Sequence, residues 1–114
     1  MRTIQNLLEP LQAKLHTGCT DVAIPEYAFG SDLMSDVLTL EDETPMLITG
    51  LANTQSIRTA EMADIEIVLI ARGKEVTKEM IDLADENDIV LLSSPFSLYK
   101  VCGILYQNGL KALY

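Results

Sequence analysis

The sequence predicts a three-layer α/β/α domain around a mainly parallel or mixed sheet of four to five strands. Two observations predict this fold: three apolar runs without polar–apolar alternation, at residues 46–48, 65–71 and 89–92, and two amphipathic helical segments between them. Because every position of these runs except Glu66 is apolar, both faces of each strand are expected to be covered, as in parallel sheets. The length of 114 residues suits one domain, which we expect to span residues 1–114.

Cap residues place the helices between these strands. Asn53 or Thr54 suits the N-cap of the first helix, which carries Ile57, Ala60 and Ala63 on one side. Thr77 suits the N-cap of the second, with Glu79 well placed in its first turn. The second helix has a broad apolar face, formed by Val76, Met80, Ile81, Leu83 and Ala84.

The first half of the chain is less regular. Ile4, Leu7, Leu8 and Leu11 have the spacing of a short amphipathic helix, with Thr3 as its N-cap. A brief strand is expected at 13–16, a turn at 16–21 and an edge strand or extended segment at 22–29, which contains Pro25. Ser31 or Asp32 then suits the cap of a short helix through Leu33, Val37 and Leu38, and residues 41–43 form a solvated turn.

Composition excludes several classes of partner. The formal net charge of −9 and a pI of about 4.3 disfavour binding to nucleic acid or to anionic membranes, because the field of the protein repels both. The apolar stretches are shorter than the roughly 20 residues that span a bilayer. Glu9 and Pro10 interrupt what a signal peptide needs, so we expect a cytoplasmic protein. Two cysteines, the accessible Cys19 and the core residue Cys102, do not indicate a disulfide framework.

The last helix is predicted from Ser94 as N-cap and Pro95 as first helical residue to Gly109 just past its end. It carries two adjacent apolar stripes, which is more than a surface helix of a monomer needs. One stripe consists of Leu98, Val101, Cys102 and Leu105. The other, formed by Phe96, Tyr99, Gly103 and Tyr106, predicts a homodimer interface; alternatively, the N-terminal segment covers it.

A ligand site is expected where the three predicted strands end. In a parallel sheet, ligands bind beyond the carboxyl ends of the strands, beside helix N-termini. The loops there contain two of the eight basic residues, hydroxyl groups and backbone N–H groups that we expect to be free. These features suit a phosphate or carboxylate, although capping and turn formation alone also explain the residue types. The candidate ligand-binding residues are Thr49, Gly50, Asn53, Thr54, Arg72, Gly73, Lys74, Ser93 and Ser94.

Motifs for catalysis, metals and cofactors are weak. The chain has no Gly-x-Gly-x-x-Gly or Walker sequence, and its one histidine is not part of a recognisable triad, so no enzyme activity and no cofactor are expected. His16 and Cys19, with Asp21 nearby, form at most half of a metal site, which a symmetric dimer can complete. Asp32 and Asp36 would share a helix face at i, i+4 and suit a hard cation, although solvated acids are commoner.

Several segments resemble the DRTGG domain: Met46-Leu47-Ile48-Thr49-Gly50, residues 67–73, residues 83–92 and, before them, Tyr27-Ala28-Phe29-Gly30-Ser31. The resemblance implies a fold similar to the N-terminal domain of HPr kinase/phosphatase and a regulatory role. Such domains accompany CBS domains in some pyrophosphatases and the catalytic domain of phosphotransacetylases, and small stand-alone versions occur near redox or hydrogenase genes. Where the family tends to have Gly-Asp-Arg, this chain has Leu51-Ala52-Asn53, and Arg72-Gly73 replaces the usual Thr-Gly.

These observations together predict a non-catalytic regulatory or accessory domain that forms homodimers and senses a small anionic ligand, such as a nucleotide or a phosphorylated metabolite. The first alternative is an interaction subunit of a redox or hydrogenase-associated complex. The second is a metal or iron–sulfur protein that uses His16 and Cys19 across a dimer.

Overall fold

Six strands form one sheet in the computed structural model, which describes residues 2–40 and 44–114. The strands are β1 (Lys14–Thr17), β2 (Tyr27–Gly30), β3 (Met46–Thr49), β4 (Ile67–Ile70), β5 (Val90–Ser93) and β6 (Lys111–Ala112), in the spatial order β1-β5-β4-β3-β2-β6. Only the β1–β5 pair is antiparallel among these residues. The sheet is therefore mainly parallel and mixed, but it has more strands than the four to five predicted.

Helices cover both faces of this sheet. They are α1 (Gln5–Leu11), α2 (Met34–Val37), α3 (Thr54–Met62), α4 (Lys78–Glu86) and α5 (Leu98–Gln107). On one face, Ile48 and Leu69 pack with α1 and α5; on the other, Leu47 and Val68 pack with α2, α3 and α4. Every residue of β3 and β4 is buried, as the apolar runs predicted. The three layers are confirmed.

None of the helices within residues 2–40 and 44–114 has the length and apolar character needed to cross a membrane.

Two predicted N-caps were wrong, Thr3 for α1 and Ser31 or Asp32 for α2. Ile4, not Thr3, occupies the N-cap of α1, and the Thr3 N–H donates to Asn6 Oδ1 at 2.9 Å. Leu33 occupies the N-cap of α2 without a side-chain bond, while the Ser31 hydroxyl accepts from the Leu33 N–H at 3.0 Å. Such side chains often bond to the nearest turn instead of the helix.

Residues 22–29 were predicted as an edge strand or an extended segment, and the edge-strand alternative was wrong, because the strand formed there, β2, lies between β3 and β6. The short strand β6 pairs with it in parallel, and the Lys111 N–H donates to the Glu26 carbonyl at 2.9 Å. Lys111 Nζ also lies 2.9 Å from Glu26 Oε1, in an exposed ion pair. Pro25 precedes β2, so it removes no donor from the ladder. The turn expected at 41–43 lies outside the described residues.

The predicted N-caps of α3 and α4 and the predicted glycine after α5 are confirmed. Asn53 and Thr77 cap α3 and α4 by accepting from Ser56 and Met80 N–H groups. Gly109, at φ 96°, follows the end of α5.

The start of α5 was predicted wrongly. The helix begins at Leu98, three positions beyond Pro95, and Ser97 caps it by accepting from the Lys100 N–H at 3.2 Å. Ser94 is instead buried, and its hydroxyl donates to the Leu11 carbonyl at 2.7 Å and accepts from the Phe96 N–H at 3.2 Å. Ser94 thus ties the end of α1 to the chain after β5.

Candidate functional site

The predicted strand-end loops do meet at one edge of the sheet. Ile48 pairs with Leu69 and Leu69 with Leu92 in parallel register, so β3, β4 and β5 end side by side. The Ala71 N–H donates to the Thr49 carbonyl and the Ser94 N–H donates to the Ile70 carbonyl, both at 2.8 Å. We call this region, from Thr49 to Thr54, from Arg72 to Lys74 and at Ser93 and Ser94, the strand-end edge.

Arg72 has an unusual backbone conformation at this edge. Its φ is +72°, and its N–H donates to the Phe96 carbonyl at 2.6 Å. The next N–H, of Gly73, donates to the Ser94 carbonyl at 3.0 Å. A left-handed conformation in a non-glycine residue costs on the order of 1–3 kcal/mol, so the surrounding hydrogen bonds must hold it in place.

Position in the fold distinguishes Arg72 from the other non-glycine residues with positive φ in the described part of the chain. Gln12 is the C-cap of α1, and Asp64 and Asp88 come directly after the C-caps of α3 and α4. A left-handed residue commonly ends a helix. Arg72 instead follows strand β4 by two positions, where no helix end explains it.

The Arg72 side chain lies against Gly50. Its Nε is 2.7 Å from the position that a Cβ at residue 50 would occupy, so only glycine allows this approach without a shift of the arginine. Nη2 makes one long contact, 3.5 Å, with the Gly50 carbonyl oxygen. Among the described residues, no carboxylate lies within ion-pair distance of Arg72. Its remaining guanidinium donors are therefore available to a ligand.

Asp32 belongs to this edge, although the sequence pointed elsewhere. Its Oδ1 accepts from the Gly50 N–H at 2.6 Å and from the Thr49 hydroxyl at 3.1 Å. It precedes α2, so the expectation that it shares a helix face with Asp36 was wrong. The signal for Asp32 was its place two residues after β2, because the carboxyl end of a strand parallel to β3 reaches the same edge.

Several of the backbone N–H groups expected to be free here are already bonded. Asp32 takes the Gly50 N–H, and the Thr49 hydroxyl takes that of Leu51 at 3.1 Å. The N–H groups of Arg72 and Gly73 bond to carbonyls, as described above. Side chains, more than loop N–H groups, are thus what this edge presents to a ligand.

The remaining candidate residues divide by exposure. Lys74 and Asn53 are exposed and Thr54 is half-buried, on the loop after β4 and at the start of α3. Ser94 faces Leu11 inside the protein and Ser93 bonds to His16, so neither hydroxyl is free for a ligand.

His16 contacts Ser93 across the β1–β5 pair, with Nε2 2.8 Å from Oγ. Burial, and secondarily the charge of Lys14, lower the pKa of His16 from its ordinary value of 6.5. Cys19 is exposed. Within residues 2–40 and 44–114, no three histidine, cysteine, aspartate or glutamate side chains are grouped to hold a metal ion.

The lowered pKa of His16 predicts a loss of stability in mild acid. The unfolded chain takes up a proton near pH 6.5 while the folded chain resists it, so the free energy of unfolding falls as the pH drops from 6.5 through the folded pKa. Urea unfolding at about pH 7.5 and about pH 5.5 measures the difference. His16→Gln, which keeps a polar partner for Ser93, is expected to reduce that difference; an unchanged pH dependence contradicts the prediction.

Comparisons with known proteins agree with this architecture. No protein-family profile matches the sequence, and no curated protein matches it. The fold is similar to a crystal structure of the CBS and DRTGG domains of the regulatory region of Clostridium perfringens pyrophosphatase, complexed with the activator diadenosine tetraphosphate, with a TM-score of 0.75 and 16% sequence identity over 95% of this chain. The chain has a DRTGG-like fold.

The DRTGG-like chain spans only 47% of that structure. At this level of identity the likeness concerns the fold. The residue-level features of the site, Arg72 above all, therefore rest on this chain's own geometry.

Proposed function

We propose that residues 1–114 form one regulatory or accessory domain, without catalytic activity, that binds a small anionic ligand at the strand-end edge. The ligand class is a nucleotide or a phosphorylated metabolite. The observation that carries the proposal is Arg72, which is held in a left-handed conformation with its guanidinium exposed over Gly50.

The electrostatics of the edge favour an anion locally, although the whole chain is acidic. Arg72 and Lys74 are two of only eight basic residues on a chain with a net charge of −9. A guanidinium presents a planar fork of donors that matches the oxygens of a phosphate or carboxylate. The N-terminus of α3 also lies at this edge, and its dipole favours negative charge.

Asp32 narrows the class of ligand. Its carboxylate opposes a bare phosphate, but it accepts hydrogen bonds from hydroxyl or amino groups. A ligand that carries such donors beside its anionic group satisfies both Asp32 and Arg72, and the ribose hydroxyls of a nucleotide are donors of this kind. We therefore expect nucleotides to bind more tightly than inorganic phosphate.

The structural neighbour gives general support. It is the regulatory region of an enzyme and was crystallised with a nucleotide activator. That region contains CBS domains as well as a DRTGG domain, so the nucleotide in that complex does not by itself indicate a ligand for this fold. The case for a ligand here depends on Arg72, Gly50 and Asp32.

Calorimetric titration of the protein with AMP, ATP, diadenosine tetraphosphate, a sugar phosphate and inorganic phosphate tests the proposal. Arg72→Ala is expected to weaken binding of the tightest ligand roughly 10-fold or more, because a charge-assisted hydrogen bond contributes about 1.5–3 kcal/mol. The ligand should be recovered chemically unchanged.

Lys78→Ala provides the matched control. Lys78 is also an exposed cation, but it pairs with Asp82 on α4 at 3.1 Å. Its removal changes the net charge by the same amount and should leave affinity nearly unchanged. Absence of binding by every probe, or equal weakening by the two variants, would refute the anion site.

A second candidate is a protein-interaction role in a redox or hydrogenase-associated complex. The exposed Tyr99 and Tyr106 on α5 favour it. A partner that is recovered from native extract by the wild-type chain and lost with Tyr99→Ala, together with silent ligand titrations, would favour this role.

A further inference from the structure

Asp32 and Arg72 both reach Gly50, each from a strand beside β3. Asp32 follows β2, Arg72 follows β4, and Gly50 is the first residue after β3, which lies between those strands. Asp32 Oδ1 is 2.6 Å from the Gly50 nitrogen, and Arg72 Nε is 2.7 Å from the position that a Cβ at residue 50 would occupy. The carboxylate and the guanidinium are therefore separated by little more than the width of one glycine.

Asp32 is held in place with one oxygen left for a ligand. Its hydrogen bonds from the Gly50 N–H and from the Thr49 hydroxyl, the latter at 3.1 Å, both end on Oδ1. No hydrogen bond within residues 2–40 and 44–114 reaches Oδ2, and the residue is exposed. An ionised carboxylate oxygen only accepts hydrogen bonds. Oδ2 is thus a fixed acceptor for a hydroxyl or amino group.

We propose that Arg72 and Asp32 together recognise a sugar phosphate and leave a nucleotide base unrecognised, an inference that rests on the proposed anion site. Arg72 binds the phosphate, and Asp32 Oδ2 accepts from a hydroxyl group of the sugar. The ribose hydroxyl groups are on the ring that carries the phosphate arm, whereas the amino group of a base lies much farther away, beyond the glycosidic bond. The short separation across Gly50 fits the hydroxyl groups and not the base.

The residue types at the strand-end edge also argue against recognition of a base. Proteins commonly hold bases by stacking them on aromatic side chains. None of the residues of the edge is aromatic, from Thr49 to Thr54, from Arg72 to Lys74 and at Ser93 and Ser94. The carbonyl of Phe96 accepts from the Arg72 N–H, but its ring packs against the core cluster that contains α1 and α5. A base attached to the bound sugar would lie in solvent.

The charges around the pair favour a phosphate ester over a carboxylate. A phosphate monoester carries about two negative charges at pH 7. Lys74 is a second exposed cation on the loop that carries Arg72, and the first turn of α3, whose dipole favours an anion, begins four residues after Gly50. A free amino acid also carries an acid beside a donor, but its single negative charge gains less from the second cation.

Calorimetric titration of the full chain with ribose 5-phosphate, AMP, UMP, 2′,3′-dideoxy-AMP, inorganic phosphate and glycine tests the inference. The affinities for ribose 5-phosphate, AMP and UMP should lie within about 3-fold of one another, because the base makes no specific contact. The dideoxy analogue lacks both hydroxyl groups and should bind roughly 10-fold more weakly than AMP, because a hydrogen bond to a charged acceptor is lost.

Asp32→Asn tests the role of the carboxylate. The amide keeps an oxygen for Gly50 and Thr49 but replaces the charged acceptor at Oδ2. A neutral hydrogen bond is about half as strong as a charged one, so the advantage of AMP over its dideoxy analogue should shrink from roughly 10-fold to about 3-fold. Inorganic phosphate should bind at least as tightly as to the wild type, because a negative charge is gone. A general disturbance of the loop would weaken every ligand alike.

Asp64→Asn is the matched control. Asp64 is an exposed carboxylate before the start of β4, at the opposite edge of the sheet, and asparagine tolerates its φ of 58°. This variant removes the same charge and should leave the advantage of AMP over its dideoxy analogue unchanged.

The outcomes separate this inference from the anion site itself. If AMP binds and Arg72→Ala weakens it, the anion site stands; absence of ribose 5-phosphate binding, or a strong preference between AMP and UMP, then overturns recognition of the sugar phosphate alone. Equal affinity for AMP and its dideoxy analogue, or an advantage of AMP that Asp32→Asn leaves unchanged, overturns the role of Asp32. Binding of glycine but of no phosphate ester, or no binding by any probe, refutes both proposals.

Discussion

Leu69→Ala is expected to lower the free energy of unfolding by about 2–5 kcal/mol, the range for removing a large aliphatic side chain from a core. Leu69 is completely buried in β4, between β3 and β5, and packs in the cluster that joins the sheet to α1 and α5. The substitution removes apolar contacts and leaves a cavity that the surrounding strands cannot close. For a small domain, with a net stability of about 5–15 kcal/mol, this is a large fraction.

Urea unfolding followed by far-ultraviolet circular dichroism measures the loss. The control is Met62→Ala, in which a side chain of similar size is 65% exposed and the change should be within about 0.5 kcal/mol. A loss below about 1 kcal/mol for Leu69→Ala would mean that β4 is not the close-packed centre of this sheet.

Ser94→Ala is expected to lower the free energy of unfolding by about 1–3 kcal/mol, because it leaves two backbone groups without their partner in the interior. The Ser94 hydroxyl donates to the Leu11 carbonyl and accepts from the Phe96 N–H. The loss is expected to exceed that of Ser35→Ala, which removes an exposed hydroxyl from α2.

Ser97→Ala and Ser94→Ala are expected to weaken different parts of the fold. Ser97 caps α5, so its removal should cost about 1 kcal/mol through the first turn of the helix. Ser94→Ala should instead loosen the junction between α1 and the chain after β5. If Ser94→Ala proves as mild as Ser35→Ala, the bridge to Leu11 does not form in solution.

The buried strands and two helix starts could be predicted from local residue patterns. Continuous apolar runs identify β3, β4 and β5, because only a strand covered on both faces is apolar at every position. Asn53 and Thr77 precede helices whose first-turn N–H groups they accept, and this preference depends on a few neighbouring residues alone. The three strand ends then necessarily share one edge.

Local sequence patterns did not determine the N-cap of α5, the pairing of β6 or the role of Asp32. Ser94 and Ser97 both suit an N-cap, and contact between Ser94 and Leu11, far away in sequence, decides between them. Strand β6 has two residues and no recognisable periodicity, so its pairing with β2 exists only because α5 returns the chain to that side of the sheet. Asp32 suited a local cap equally well.

The sequence by itself determined the α/β class, the three central strands and the group of loops at which a ligand site was expected, because these follow from apolar periodicity and cap chemistry within short segments. The tertiary structure alone decided which groups at those loops remain available. In the folded chain, Asp32 bonds to Gly50, several loop N–H groups have partners, the Ser94 hydroxyl faces the interior and Arg72 stays exposed. Such outcomes depend on hydrogen bonds between residues distant in the chain, which no local pattern contains.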